Sequence, residues 1–148
     1  MAKSSKTKAK EAAWSSLSKA IRYSHAYDGW NCSCVTCGIV KPWKEQQAGH
    51  WIPRAQGLAV YFDVNNIHPQ CFRCNINLGS NGPEYAVYMR ETYGDGMMEL
   101  LREKQRMNIK YSEQDYRDMK KHYDSEFKRM EVMRGDGVQG IIELVAWA

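Results

Sequence analysis

Four of the five cysteines fall into two Cys-x-x-Cys pairs, Cys34 with Cys37 and Cys71 with Cys74. The two-residue gap lets both thiolates of a pair face one metal ion, and two pairs complete a tetrahedral four-sulfur site that suits zinc. Such a site has no open position, so we expect a structural zinc rather than a catalytic one. The alternatives are two unrelated reduced pairs or a redox role, but no βαβ pattern surrounds either pair. Cys32 is left over, as a spectator thiol or as a competitor of Cys34 for the metal.

The segment between the two pairs carries a second group of side chains that could do chemistry. His50 follows a glycine in a predicted strand, and Asn66 and His68 come shortly before the second cysteine pair. Asn75 directly follows the last cysteine of that pair. Imidazole can take a proton near neutral pH, and an amide oxygen is a ligand that magnesium or manganese accepts. Because a lone histidine is most often structural, it is the order of these residues that suggests chemistry.

The elements that position this segment are predicted to be helices on both sides and short strands within it. Residues 1–10 are predicted as a disordered basic arm, and residues 11–24 as an amphipathic helix. Within residues 30–80, strands are expected around residues 49–52 and 59–62. Further helices are predicted to begin near Pro83, Asp95 and Ser112, the last ending at Gly135.

The last predicted helix carries an apolar stripe from Tyr116 to Met130. Such a stripe is most often core, and a dimer surface is the alternative. Residues 135–148 form a separate tail that is apolar enough to dock, on this chain or on a partner subunit.

The order Cys-x-x-Cys, His, Asn, Cys-x-x-Cys-Asn resembles that of the zinc-containing HNH nucleases. The resemblance implies an α+β fold in which a ββα-metal core is stapled by the four-cysteine zinc site and flanked by helices, over residues 11–134. It implies that His50 is the general base, that Asn66 is the central asparagine that orients it, and that Asn75 binds the catalytic metal where other members carry histidine. The catalytic cation would be magnesium or manganese.

More narrowly, the pattern is similar to the bacteriophage lambda NinG family, also called Rap. The similarity runs from Gln47 through residues 66–75 to Tyr85, and covers roughly residues 14–130. It implies a phage recombination endonuclease that hydrolyses phosphodiester bonds in branched DNA such as Holliday junctions and D-loops. A junction resolvase must cut two strands, so a homodimer with two active sites is expected.

Position 49 departs from the HNH pattern. Many members of that class carry an acidic metal ligand directly before the base histidine, where this chain has Gly49. A second ligand is then expected from His68, Asp63 or water. His68 is favoured because it is expected on the strand opposite His50, and a buried, hydrogen-bonded histidine is the alternative.

The charge of the chain is compatible with a nucleic-acid partner. Its net charge is +4 and its pI is near 8.8, which is mildly basic. The basic residues expected to contact DNA phosphates are Arg54, Arg73, Lys41 and Lys44. No apolar run approaches the roughly 20 residues that span a bilayer, and the polar N-terminus is not a secretory signal. The protein is therefore expected in the cytoplasm (the host cytoplasm if it is phage-encoded), with no membrane partner.

Two other functions fit parts of the sequence. A zinc-ribbon DNA-binding module without catalysis would explain the cysteines and the charge, but it leaves His50, Asn66 and Asn75 unexplained. A non-specific HNH nicking endonuclease shares the expected mechanism and differs in the choice of substrate.

Overall fold

The computed structural model describes residues 2–148, which form a mixed α+β fold. The helices are α1 (Ser5–Ser24), α2 (Leu58–Tyr61), α3 (Gly82–Tyr93), α4 (Asp95–Gln105) and α5 (Glu113–Gly135). The strands are β1 (Asn31–Ser33), β2 (Val40–Pro42), β3 (Gln47–His50) and β4 (Ile67–Gln70), paired antiparallel as β1–β2 and β3–β4. Within this described part of the chain, no helix is both long and apolar enough to cross a bilayer.

The two long helices, α1 and α5, pack against each other and form the main core. Leu17 and Ile21 of α1 are buried in the same cluster as Met119, Tyr123 and Met130 of α5. The stripe predicted on α5 is therefore core, and a dimer of this protein would use another surface. The predicted start of α5 is confirmed by a capping box, in which Ser112 and the N3 residue Asp115 each accept a hydrogen bond from the other's backbone N–H.

The first helix begins at Ser5, so the prediction of a disordered arm up to residue 10 is wrong from that residue onward; Met1 lies outside the described residues. The hydroxyl of Ser4 caps the helix by accepting a hydrogen bond from the N–H of Thr7. Lys3 adds an ion pair to Glu11 at 2.7 Å. Lysine and alanine are good helix formers, so this basic stretch continues the helix rather than forming a tail.

The strand predicted at residues 59–62 is also wrong, because this segment forms the short helix α2. Val60 packs in a second core cluster with Tyr85 and Met89, whereas Phe62 packs in the α1–α5 cluster. A strand would point residues 60 and 62 to the same face, while a helical turn points them to opposite sides. Packing on both clusters therefore overrides the β-propensity of the segment.

The sheet that matters for the site is the β3–β4 pair. The predicted strand at residues 49–52 is present but lies two residues earlier, and its partner is β4 rather than residues 59–62. In the register, His50 lies opposite Ile67, and Gly49 lies opposite His68. Because neighbouring residues of a strand face opposite ways, the His50 and His68 side chains lie on opposite faces of this sheet.

The C-terminal tail docks on its own chain. The N–H of Ile142 donates to the carbonyl of Ser24 at the end of α1, and the N–H of Trp147 donates to the hydroxyl of Tyr123 on α5. Ile142 is buried in the α1–α5 core. The tail thus contacts both long helices and links the end of α1 to α5.

Candidate functional site

The four cysteines of the two Cys-x-x-Cys pairs meet in one cluster. Their sulfur atoms all lie within 4.8 Å of one another, although Cys34 and Cys71 belong to different segments of the chain. The Sγ atoms of Cys37 and Cys71 are 3.7 Å apart. A tetrahedral zinc with Zn–S bonds of about 2.3 Å separates its sulfurs by about 3.8 Å, so the cluster could hold a zinc ion.

The electrostatic surroundings distinguish the cluster from the fifth cysteine. Burial raises the pKa of the Cys34 thiol, but hydrogen bonds from the Thr36 hydroxyl and from nearby backbone N–H groups outweigh it and lower the pKa to about 6. Burial raises the pKa of Cys32 to about 12. Because Cys32 also lies in the α1–α5 core, outside the sulfur cluster, the structure supports the spectator thiol over the competing ligand.

His50 is held at the end of β3 by contacts on two sides. Its ring stacks on Trp14 of α1 with the centroids 4.9 Å apart, and its Nε2 lies 2.8 Å from the carbonyl oxygen of Tyr61. A carbonyl oxygen only accepts, so Nε2 carries the proton and Nδ1 keeps its lone pair. Burial lowers the pKa of His50 to about 4; the hydrogen bond to the Tyr61 carbonyl opposes this shift in part, and the charge of Arg54 adds a smaller lowering. His50 is therefore neutral at pH 7 and has one nitrogen able to accept a proton.

Asn66 lies beneath the loop that follows His50. It is fully buried, and its Oδ1 accepts from the N–H of Ile52 at 2.9 Å. Its Nδ2 donates to the carbonyls of Ile52 and Val60 at 2.9 and 3.0 Å. The Asn66 side chain therefore fixes both ends of the 52–60 loop, and with them the neighbouring Tyr61 carbonyl that orients His50.

A cleft of about 440 Å³ opens in front of His50. Asn75 lines it from the π-helical turn Arg73–Asn77, and Arg22 of α1 and Arg54 of the 52–60 loop line it as well. None of the described residues that line the cleft is acidic. The cleft thus combines a neutral histidine and an amide with two guanidinium groups, which suits a phosphate-containing ligand.

His68 does not take the ligand role that the sequence favoured. The hydroxyl of Tyr85 donates to the carbonyl of Gly49 at 2.7 Å, so it accepts from His68 Nδ1–H at 2.9 Å. The hydroxyl of Tyr93 then donates to Nε2 at 2.7 Å. Both ring nitrogens are occupied, so His68 is the buried, hydrogen-bonded histidine that was the alternative. Asp63, the other protein candidate, pairs with Lys104 at 2.6 Å and does not line the cleft.

The four basic residues that were predicted to contact DNA phosphates differ in their position relative to the cleft. Arg54 lines the cleft, whereas Lys41, Lys44 and Arg73 do not. Arg73 is exposed on the turn that carries Asn75, and Lys44 lies over the ring of Trp43. Of these four residues, Arg54 alone lines the cleft, and all four phosphate contacts stay predictions.

Three residues of α1 that the sequence did not single out for chemistry also line the cleft: Trp14, Ser18 and Arg22. Their four-residue spacing places them on one helix face, and this spacing was the available signal. Gln47 is a further missed residue, and its Oε1 accepts from Asn75 Nδ2 at 2.7 Å.

The chain matches known proteins along most of its length. A family model described as "Bacteriophage Lambda NinG protein" matches residues 2–132. The protein described as "Protein ninG" of Salmonella phage P22 is 25% identical over 103 residues, which covers 70% of this chain. The chain spans 50% of the length of that relative. No solved structure matches the chain significantly.

The family match covers the cysteine cluster, His50 and the cleft in one continuous stretch, and ends within α5. It reaches both sides of the candidate site, including the α1 residues that line the cleft. This protein belongs to the bacteriophage lambda NinG family.

Proposed function

We propose that this protein is a metal-dependent DNA endonuclease that hydrolyses phosphodiester bonds with His50 as the general base. The observation that carries the proposal is the state of the His50 ring: Nε2–H is committed to the Tyr61 carbonyl, and the neutral Nδ1 is available at a cleft with two arginines. A side chain prepared in this way can deprotonate a water molecule.

The proposed core consists of β3, β4 and the turn Arg73–Asn77, in the order of a ββα-metal unit. Asn75 on that turn is the proposed ligand of a catalytic magnesium or manganese ion, and its Oδ1 offers the hard oxygen that these ions prefer. When bound, the cation would neutralise the charge that develops on the phosphate.

In the proposed reaction, Arg54 and Arg22 bind the phosphate at the cleft. A water molecule gives its proton to His50 Nδ1 while its oxygen forms a bond to phosphorus. The bond between phosphorus and the leaving sugar oxygen breaks, and that oxygen takes a proton from solvent. An anionic phosphate near His50 raises the basicity of the ring, because it stabilises the imidazolium that forms.

Branched DNA is the proposed substrate, on the basis of the family resemblance. Two paired cuts require two active sites, so we also propose a homodimer on junction DNA, formed through a surface other than the buried stripe of α5.

The test compares a labelled four-way junction with linear duplex of equal length, in magnesium or manganese, for wild type and His50→Ala. Paired cuts in the junction that vanish in the variant, with DNA binding retained, are the expected result. His122→Ala is the matched control, since His122 lies on α5 and does not line the cleft, and it should cut like wild type.

Equal cutting of junction and duplex would support endonuclease activity but contradict the proposal that branched DNA is the substrate. The protein would then be a non-specific nicking enzyme. DNA binding without cutting in either metal would reject catalysis and leave a zinc-ribbon DNA-binding module.

A further inference from the structure

Gln70, the last residue of β4, is fully buried and held by its amide nitrogen. Its Nε2 donates to the carbonyl of Ser80 at 2.8 Å and to the hydroxyl of Thr36 at 3.1 Å. The Ser80 carbonyl can only accept, which fixes the amide nitrogen on that side. The orientation of the amide is therefore set, and its Oε1 is directed toward Gly49.

The Gln70 Oε1 atom is buried without a hydrogen-bond partner among residues 2–148. Buried carbonyl oxygens in proteins nearly always have a partner, and leaving one unpaired costs about 1–3 kcal/mol. Its surroundings contain a second oxygen: a Cβ at position 49 would lie 1.8 Å from Gln70 Oε1 and 3.0 Å from Asn75 Oδ1. Two amide oxygens therefore converge on the space that a side chain at position 49 would enter.

Asn75 is also held by its amide nitrogen, here through the side chain of Gln47. Its Nδ2 donates to Gln47 Oε1, so the amide nitrogen is occupied and Oδ1 is left on the side of Gly49. The two neutral oxygens repel each other weakly, and no donor within residues 2–148 pairs with Gln70 Oε1. Amide oxygens are among the ligands that hard divalent cations accept, alongside water and phosphate oxygens.

We propose that Gln70 is a ligand of the divalent cation, together with Asn75, and supplies from β4 the oxygen that position 49 lacks. This inference rests on the cation of the proposed function. Gln70 does not line the cleft itself and would reach the cation from the other side of Gly49, beside Asn75, which does line it. Gly49 is then required because any side chain there would displace the Gln70 oxygen.

The charges of the site bear on the strength of binding. Both proposed ligands are neutral, and the cleft is lined by Arg22 and Arg54 with no carboxylate among its described lining residues. Affinity for divalent ions falls as the charge of the ligand set falls. The free protein should therefore bind the cation weakly, and a DNA phosphate in the cleft should strengthen binding by adding negative charge.

The test is titration of the zinc-loaded protein with Mn²⁺, followed by the loss of the electron paramagnetic resonance signal of free Mn²⁺. Gln70→Ala should weaken Mn²⁺ binding about tenfold or more. Gly49→Asp combined with Gln70→Ala should restore it, because alanine vacates the space and the aspartate provides an oxygen from the other strand. Zinc content and the thermal unfolding curve show that each variant is folded, and Gln70→Met replaces Gln70→Ala if alanine unfolds the protein.

Gln46→Ala is the matched control. Gln46 is also a buried glutamine whose Oε1 has no hydrogen-bond partner within residues 2–148, and it lines the cleft. Its Nε2, however, donates to the carbonyls of Cys32 and Ile39, away from Gly49. Its Mn²⁺ affinity should equal that of wild type. Unchanged Mn²⁺ affinity in Gln70→Ala, or an equal loss in Gln46→Ala, overturns the proposal.

DNA cleavage measured on the same variants separates this inference from the proposed function. Gln70-dependent Mn²⁺ binding without cleavage of any DNA would keep the ligand and reject the endonuclease. Full Mn²⁺-dependent cleavage by Gln70→Ala would keep the endonuclease and reject Gln70 as a ligand.

Discussion

His50 and His68 lie on adjacent, paired strands, but their side chains lie on opposite faces of the sheet and differ in how their ring nitrogens are hydrogen-bonded. His50 is 6% exposed; one ring nitrogen is bonded to a carbonyl, and the other has no partner among the described residues and lies at a basic cleft. His68 is 1% exposed, and its two nitrogens are bonded to two tyrosine hydroxyls. Burial lowers the pKa of both rings. What distinguishes a candidate base from a structural histidine here is therefore the free lone pair rather than the degree of burial.

The largest expected effect is that of zinc removal, which should abolish the difference between the environments of His50 and His68. Stripping the metal with a strong chelator should unfold the region around the sulfur cluster, since structural zinc contributes on the order of 10 kcal/mol to folding. Both histidines should then titrate near the ordinary pKa of about 6.5, measured by NMR of the ring protons. Retention of two depressed pKa values after complete zinc removal would contradict a structural role for the cluster.

The second prediction concerns His50→Ala, which should lower cleavage by about 10²- to 10⁴-fold because the proton acceptor is lost. Its free energy of unfolding, from urea denaturation, should change much less than its cleavage rate. His122→Ala provides the reference for both measurements. A cleavage rate within threefold of wild type would remove His50 from the mechanism.

The third prediction is the reverse pattern for His68→Ala. The substitution leaves a cavity and deprives the Tyr93 hydroxyl of its acceptor, so unfolding should become easier by about 2–4 kcal/mol. Cleavage by the folded fraction should fall far less than in His50→Ala. A stable His68→Ala protein without activity would show that His68 takes part in the chemistry.

The fourth prediction is the pH dependence of kcat/KM. Because the pKa of His50 is lowered to about 4, the ring stays neutral from pH 7 down to about pH 5, and it gains a proton only below that range. Activity should hold across that interval, whereas a base with an ordinary pKa of 6.5 would lose about tenfold by pH 5.5. Zinc content measured at each pH controls for loss of the metal, and an acid limb near pH 6.5 would contradict the environment assigned to His50.

The smallest expected effect comes from Tyr93→Phe, which removes the hydroxyl that donates to His68 Nε2. The loss of this partly buried hydrogen bond should cost about 1 kcal/mol in urea denaturation. Tyr27→Phe, at a position exposed to the same extent as Tyr93 but away from His68, is the control and should be neutral. No difference between the two variants would mean that the tyrosine does not hold the ring.

The sequence predicted the parts of the site whose signal is local. Two Cys-x-x-Cys pairs predict one sulfur cluster from their own spacing, and the resemblance to HNH nucleases placed His50 and Asn75 at one site, where both now line the cleft. The capping box at Ser112 was readable for the same reason, since its partner lies three residues away.

The rest depends on packing between distant segments. The four-residue spacing of Trp14, Ser18 and Arg22 shows that they share a helix face, but not that this face meets the end of β3. Residues 59–62 have the composition of a strand, although packing on two core clusters requires a turn of helix. Gln70 was invisible for a related reason. Gln70 becomes a candidate ligand only in the folded protein, where Gly49 on the paired strand has no side chain to occupy the space that Gln70 Oε1 fills.

The sulfur cluster has a consequence for how the family can vary. Cys37 and Cys71 are 34 positions apart, so a bound metal would close a ring that contains His50 and Asn66. The entropy lost on closing a flexible ring grows only with the logarithm of its length, by about 0.6 kcal/mol for each doubling. Inserted residues at the exposed turn Arg54–Gln56 would therefore cost little chain entropy, because the ends of the ring stay clamped by the sulfurs. The two Cys-x-x-Cys pairs can thus stay in place while the loop in front of the cleft changes in length.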